Sequence, residues 1–189
     1  MRNSLVLNRD RYKGRILFTF LLAFFLLLID MGSKYLVVTH IQEGNHAPFL
    51  YPYGGIGIFQ SRIGIDFCIN HVRNLGGAWG IFSSYPTPLL LLRIGIISAL
   101  AIYVLFFNKE RCRNFPFLLI LVGAFGNIID FFIYGSVVDM FHFTFGNYSF
   151  PVFNVADMMI FFGVATFLIQ SLMKKTDREK AYALQSPKR

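Results

Sequence analysis

The sequence has few of the features that mark several common classes of protein. Its 189 residues include only two cysteines, which is too few for a disulfide framework. Its four histidines show no ligand spacing such as His-Glu-x-x-His, so we expect no metal site and interpret them as loop or interface residues. No internal repeat is visible, which argues against a carrier built from repeated halves.

Long hydrophobic runs, in contrast, are abundant. Hydrophobic residues make up 55% of the chain and aromatic residues 17%, values typical of a membrane protein with several spans. Crossing a bilayer takes about 20 mostly apolar residues. Four runs meet this requirement, at roughly residues 15–38, 88–107, 115–134 and 152–173. We therefore predict an all-α membrane fold, a bundle of four transmembrane helices that forms a single membrane domain over residues 1–174.

Basic residues are distributed unevenly around these runs. They precede the first run, fill the loop "NKERCRN" at 108–114, and follow the fourth run, whereas the segment 39–87 has only Arg62 and Arg73. The positive-inside rule then places both termini in the cytoplasm, with a polar tail over 175–189 that we expect to fray. Because the basic residues flank apolar runs and form no continuous patch, we expect no nucleic-acid partner.

Two further predictions follow from this topology. Cys68 lies outside and Cys112 inside, so they cannot pair. The first run lacks a small-x-small cleavage site, so we expect an uncleaved helix and not a signal peptide.

The extracytoplasmic segment 39–87 has a pattern of its own. Apolar residues alternate with other residues, a period of two that predicts short strands. The alternating residues are Ile63, Ile65, Phe67 and Ile69. We expect a small extracytoplasmic β-sheet on the outer membrane surface. The loop 135–151 is rich in aromatic residues, which favour the lipid headgroup region.

Polar residues interrupt the apolar runs at one depth, near the outer face. Ionisable groups inside a membrane are costly, usually face the bundle interior and usually have a function. Asp30 and Lys34 are four residues apart and share one face of the first helix. The other polar residues at this level are Arg93, Asn127, Asp130, Asp139, Asn154 and Asp157.

Two of these carboxylates could work together. Asp139 and Asp157 are the best pair, because the 17-residue connection between them lets them approach from two elements. Two carboxylates in a partly dry site share a proton. The ionised one can activate water while the protonated one polarises a carbonyl, which is the chemistry of an aspartic peptidase.

Other interpretations stay open from the residues alone. Asp30 and Lys34 could be a juxtamembrane pair that reaches the interface. "GAFGN" at 123–127 could serve helix packing alone, and Asn74 could be only a turn former. Membrane carboxylates also occur as proton relays in carriers, and a non-enzymatic scaffold is a third class.

Four blocks of the sequence combine these polar residues with glycines and apolar residues: "DMGSK" at 30–34, "NLGGAWGIF" at 74–82, "GNIIDFFIYGSVVDM" at 126–140 and "FNVAD" at 153–157. They resemble the blocks of the lipoprotein signal peptidase (signal peptidase II) family of bacterial intramembrane aspartic peptidases. Their order and side agree with the predicted topology. Two positions differ from the family pattern: Phe131 stands where Arg is expected, and Met140 where Phe is expected. Arg93 or Arg73 are candidates to compensate for the missing arginine.

The resemblance implies an activity and a set of site residues. The family removes the signal peptide from diacylglyceryl-modified prolipoproteins, cleaving before the lipidated cysteine, without a metal or organic cofactor. The resemblance implies that Asp139 and Asp157 are catalytic. The supporting residues it implies are Asp30, Lys34, Asn74, Gly77, Asn127, Asp130 and Asn154. We expect a monomer in the bacterial inner membrane that contacts membrane lipids, with its active site near the outer, periplasmic face.

Overall fold

Four long helices and four strands make up the computed structural model. It describes residues 2–44, 55–62, 64–76 and 81–185, with the backbone alone for 2–13, 15–16, 60–62 and 177–185. In chain order the elements are α1 (Arg2–His40), β1 (Ile56–Arg62), β2 (Ile65–Asn74), α2 (Pro86–Ile102), α3 (Asn114–Tyr134), β3 (Val137–Phe145), β4 (Tyr148–Ser149) and α4 (Val155–Gln185). A π-helical turn, Tyr103–Phe107, extends α2.

All four helices contain a segment long and apolar enough to cross a membrane. These segments are Leu17–His40, Pro86–Phe107, Arg111–Tyr134 and Val155–Thr176. Large apolar side chains such as Leu105, Phe106 and Phe161 point away from the protein interior, as lipid-facing residues do. The prediction of a four-helix membrane fold is confirmed.

The ends of the helices differ from the prediction at both termini of the chain. The first helix begins at Arg2, well before the predicted start near residue 15. The fourth helix, α4, continues to Gln185, into the segment 175–189 that the sequence analysis assigned to a polar tail. The residues after Lys174 are mostly good helix formers, Lys, Glu, Ala, Leu and Gln, and include no Gly or Pro before the helix ends.

The four strands form one antiparallel sheet in the order β1-β2-β3-β4. The predicted strands in segment 39–87 are present as β1 and β2, although Ile63 lies outside the described residues. The strands β3 and β4 were not predicted. Between the pairs Ile69–Phe141 and Val72–Asp139, β2 advances by three residues while β3 advances by two, so β2 carries a bulge next to Asp139.

Glycines bring α3 and α4 into close contact. A Cβ at Gly123 would meet the Ala156 carbonyl oxygen of α4 and lie 3.1 Å from the Met159 Cβ. In the reverse direction, a Cβ at Gly163 of α4 would lie 2.8 Å from the Pro116 carbonyl oxygen of α3. Small residues that let backbones approach are a usual device of membrane helix pairs, so the packing interpretation of Gly123 is confirmed.

We predict that Gly123→Ala destabilises the protein, because the added methyl group would overlap α4 backbone. Overpacking of this kind costs about 1–3 kcal/mol. Gly95→Ala on α2 is the matched control, since a Cβ there would meet no atom within 4 Å. Thermal unfolding in detergent measures both variants, and equal midpoints for the two would contradict the close packing.

Candidate active site

A cavity of about 530 Å³ lies where α3, β3 and the start of α4 meet, at the end of the bundle that carries the sheet. Its polar lining consists of Asn74, Arg93, Asn127, Asp139 and Asp157. Its apolar lining includes Met158, Phe161 and Phe162 of α4. A second cavity of about 370 Å³ shares Asn74 and Asp139 with the first. Asp139 therefore faces both cavities.

The start of α4 explains the position of Asp157. Asn154 precedes the helix, and its side-chain Oδ1 accepts a hydrogen bond of 2.9 Å from the Asp157 backbone N–H. In return, the Asn154 backbone N–H donates to Asp157 Oδ2 at 3.2 Å. This reciprocal pair is a capping box, with a carboxylate at the third helical position. The positive end of the helix dipole stabilises negative charge at Asp157.

Asn127 of α3 holds the other oxygen of Asp157. Its Nδ2 donates to Asp157 Oδ1 at 2.8 Å. Its Oδ1 accepts from Asn154 Nδ2 and from Lys34 Nζ, each at 3.1 Å. Because Asn154 and Lys34 both donate to Asn127 Oδ1, the NH₂ group of the same amide is left to face the Asp157 carboxylate.

Asp139 lies on β3 and is only 2% exposed. Both of its oxygens accept amide hydrogen bonds, Oδ1 from Asn154 Nδ2 at 2.8 Å and Oδ2 from Asn74 Nδ2 at 2.9 Å. Burial, and then the negative charge of Asp157, raise the pKa of Asp139 to about 7. The two amide donors and Lys34 oppose this rise. Asp139 can therefore carry a proton near neutral pH.

Asn154 connects the two carboxylates directly. Its side-chain amide donates to Asp139 and accepts from the Asp157 backbone, while its own backbone N–H donates to Asp157. Asn154 is fully buried. From the sequence we expect Asp139 and Asp157 to share one site. In the structure they line the same cavity and have Asn154 as a common hydrogen-bond partner.

A buried lysine supports the site from below. Lys34 and Asp30 are both fully buried, and the Lys34 ammonium lies 2.7 Å from Asp30 Oδ2 and 2.7 Å from Asp130 Oδ2. Its third partner is Asn127 Oδ1, so three acceptors meet the three N–H donors of the ammonium group. The second oxygen of Asp30 accepts from the Ala156 backbone N–H at 2.8 Å. Asp30 thereby caps α4 as well.

These contacts correct two interpretations of the sequence. Asp30 and Lys34 do not extend to the membrane surface; they are interior groups that join α1 to α3 and α4. The charge partner of Asp130 is Lys34, and not one of the two arginines proposed to replace the missing one. Arg73 pairs with Glu43, and Arg93 donates to a backbone carbonyl.

Two of the predicted site residues remain, Asn74 and Gly77. Asn74 contacts Asp139 and also accepts from the Gly76 backbone N–H, so its turn-forming and site roles coexist. Gly77 lies outside the described residues.

Among the described residues, no cluster of three or more His, Cys, Asp or Glu side chains is arranged to hold a metal.

The sequence interpretation missed the apolar lining of the cavity. The sequence analysis assigned no role in the site to Phe161 or Phe162, and both line the cavity beside Asp157. The signal was available, since Phe161 follows Asp157 by four residues and so shares its helical face.

Comparison with known proteins covers most of the chain. The family model of signal peptidase (SPase) II, Peptidase_A8, matches residues 22–173. The lipoprotein signal peptidase of Bacillus pumilus is 31% identical over 163 residues, covering 85% of this chain and 97% of the relative. That of Chlamydia felis is 36% identical over 153 residues, covering 79% and 88%. A solved bacterial membrane enzyme, determined by the in meso method, superposes with a TM-score of 0.67 at 28% identity, covering 90% of this chain and 93% of its own.

We predict that Lys34→Met unfolds the protein or destabilises it severely. The change leaves the Asp30 and Asp130 carboxylates buried without their cation, and breaking a buried pair costs about 3–5 kcal/mol. The control is Lys174→Met, whose ion pair with Glu110 is 42% exposed on the lysine side and should contribute less than about 1 kcal/mol. Thermal unfolding in detergent compares them, and similar losses would refute a special role for Lys34.

A second prediction concerns pH and Asp139. Its pKa in the folded protein, about 7, lies above the ordinary value of 3.8, so the folded state holds a proton that the unfolded state has lost between these values. The free energy of unfolding must then fall as pH rises from 4 to 7, by a contribution on the order of a few kcal/mol. Asp139→Asn removes this contribution and flattens the pH dependence in that window. An unchanged slope would show that the carboxyl titrates normally.

Proposed function

The chain belongs to the signal peptidase II family and is a membrane protease, and on that premise we propose that it removes the signal peptide of diacylglyceryl-modified prolipoproteins, cleaving before the lipidated cysteine. The observation that supports the chemistry is the placement of Asp139 and Asp157 on one cavity, joined through Asn154. We assign the catalytic roles to these two carboxylates, which makes the enzyme an aspartic endopeptidase.

The surroundings of the two carboxylates suit different roles. Asp157 accepts a backbone N–H at the start of α4 and lines the cavity, where it can take a proton from water. Asp139, with a pKa of about 7, holds the shared proton. In the proposed reaction, Asp157 takes a proton from water as the water oxygen attacks the scissile carbonyl carbon. Asp139 donates its proton to the carbonyl oxygen.

Breakdown of the tetrahedral intermediate completes the cycle. The carbon–nitrogen bond breaks, the leaving amine of the lipidated cysteine receives a proton from Asp157, and Asp139 recovers its own from the hydroxyl that becomes the new carbonyl. The two carboxylates thus supply both proton-transfer roles, and we expect no metal or organic cofactor. Asn74, Asn127 and Asn154 hold the carboxylates in position.

The apolar side of the cavity supports entry from the lipid. Phe161 and Phe162 line the cavity and are 67% and 53% exposed on the lipid-facing side of α4. An apolar signal peptide can therefore approach laterally while its diacylglyceryl chains stay in the bilayer. Lipids are thus expected partners, and we propose a monomer, since one chain carries both carboxylates.

The proposed location is the bacterial inner membrane with both termini in the cytoplasm. The basic groups of Arg111, Arg113 and Lys174 lie at the end of the bundle opposite the cavity, where the positive-inside rule places the cytoplasm. The sheet and the two carboxylates then lie near the outer face.

We predict that Asp139→Asn and Asp157→Asn each reduce processing by about 10²- to 10⁴-fold, the usual contribution of a positioned acid or base. The control is Asp66→Asn, a carboxylate-to-amide change on β2 at a position paired with Thr144 and away from the cavity. Cleavage of a lipidated prolipoprotein in detergent measures the rate, and thermal unfolding confirms the fold. Full processing by a folded Asp157→Asn protein would refute the proposal. Flux of a solute without a cleavage product would indicate a carrier instead.

A further inference from the structure

Arg93 is a single charged residue in an otherwise apolar membrane segment. The segment Pro86–Phe107 contains no other charged residue. A charge in such a position is costly and needs a compensating contact. The Arg93 guanidinium finds one by donating from Nη2 to the Gly76 carbonyl oxygen at 2.7 Å. Arg93 also lines the cavity that contains Asp139 and Asp157.

Gly76 is the next element in a continuous chain of contacts. Its backbone N–H donates to Asn74 Oδ1 at 2.9 Å, which closes a turn at the end of β2. Asn74 Nδ2 in turn donates to Asp139 Oδ2 at 2.9 Å. Three hydrogen bonds therefore connect the guanidinium of α2 to the carboxylate on β3.

The turn decides which atom of the Asn74 amide faces the carboxylate. An amide can present either its oxygen or its NH₂ group, and only the NH₂ group can donate to an ionised carboxylate. Because Asn74 Oδ1 is engaged by the Gly76 N–H, the NH₂ group is left to face Asp139. If the turn loosened, the amide could rotate and lose this orientation.

We propose that Arg93 is a positioning residue for the reaction: by holding the Gly76 carbonyl, it fixes the turn that aims the Asn74 amide at Asp139. The inference rests on the proposed aspartic chemistry at Asp139. Leu90, the buried residue of α2, is the position at which a packing role of this helix can be tested separately.

The effect of Arg93 on the pH profile has a definite sign. Donation from Asn74 stabilises the ionised form of Asp139, so losing it raises the pKa of this carboxyl further. The other charged groups that act on Asp139 are Asp157 of α4, whose charge raises this pKa, and Lys34 of α1, whose charge lowers it. Arg93 lines the same cavity as both carboxylates.

The experiment compares Arg93→Met, Asn74→Ala and the double variant in the prolipoprotein cleavage assay across pH. We expect Arg93→Met to lower kcat about tenfold with little change in KM, and to move the alkaline limb upward by about one pH unit, as for a lost hydrogen bond to a charged group. The double variant should show no more than the effect of Asn74→Ala. Additive effects, or a loss confined to KM, would overturn the proposal.

Two further comparisons separate positioning from charge and from packing. Lysine and glutamine side chains can both donate a hydrogen bond to a carbonyl. In Arg93→Lys and Arg93→Gln, the alkaline limb of the pH profile should therefore stay close to its wild-type position. If the limb stays in place only in Arg93→Lys, Arg93 acts through its charge and the proposal fails. The same two variants test the positioning role if Arg93→Met does not fold. Leu90→Ala loosens α2 and should lower the thermal midpoint without moving the limb. An equal shift in Leu90→Ala would assign the effect to packing.

Failure of the proposed function would be seen separately. If the wild-type protein yields no cleavage product, the function is refuted. The contact chain is then decided by the pH dependence of thermal unfolding, in which Arg93→Met and Asn74→Ala must shift the Asp139 titration equally and to higher pH. An unshifted titration in Arg93→Met overturns the inference whatever the activity.

Discussion

The buried ammonium group of Lys34 is the constraint on which the site depends. A charge removed from water must have every donor satisfied, and here the three acceptors come from Asp30 on α1 and from Asn127 and Asp130 on α3. Asp30 then uses its second oxygen to cap α4 at Ala156. One cation therefore fixes the relative positions of three helices at the level of the cavity. The glycines between α3 and α4 allow close packing of the two helices but provide no polar side chain that would fix their relative positions.

The start of α4 performs a structural and a chemical task with the same atoms. A helix must satisfy its first N–H groups, and Asn154 and Asp157 do so through a capping box. The same arrangement leaves the Asn154 amide free to donate to Asp139, so both carboxylates are tied to one residue. The bulge in β2 lies at the register of Asp139, where a strand would otherwise continue regularly. Local backbone requirements thus determine where the two carboxylates meet.

Sequence reasoning reached the helices because their length is set by the thickness of the bilayer, and it reached β1 and β2 through alternation. It missed β3, although Asp139, Phe141, Phe143 and Phe145 also alternate, because aromatic residues in a short loop equally indicate the membrane interface. It placed Lys34 beside Asp30 from helical spacing alone. The partnership of Lys34 with Asp130 is a contact between helices, and local spacing contains no information about it. The place of Phe161 in the cavity lining, in contrast, could have been inferred from helical spacing, since Phe161 follows Asp157 by four residues.

The distribution of charge suits the proposed reaction, in which the two carboxylates share one proton. A free cation beside the pair would favour ionisation of both, and the pair would lose its acid. Lys34 lies close enough to lower the pKa of Asp139, but its hydrogen bonds are engaged by Asp30, Asp130 and Asn127. The groups that touch the two carboxylates directly are neutral amides and backbone N–H groups, which hold the carboxylates in place without supplying a full charge. Burial is then the largest influence on the pKa of Asp139. The apolar side of the cavity, where we propose that the substrate enters, also excludes the water that would lower this pKa.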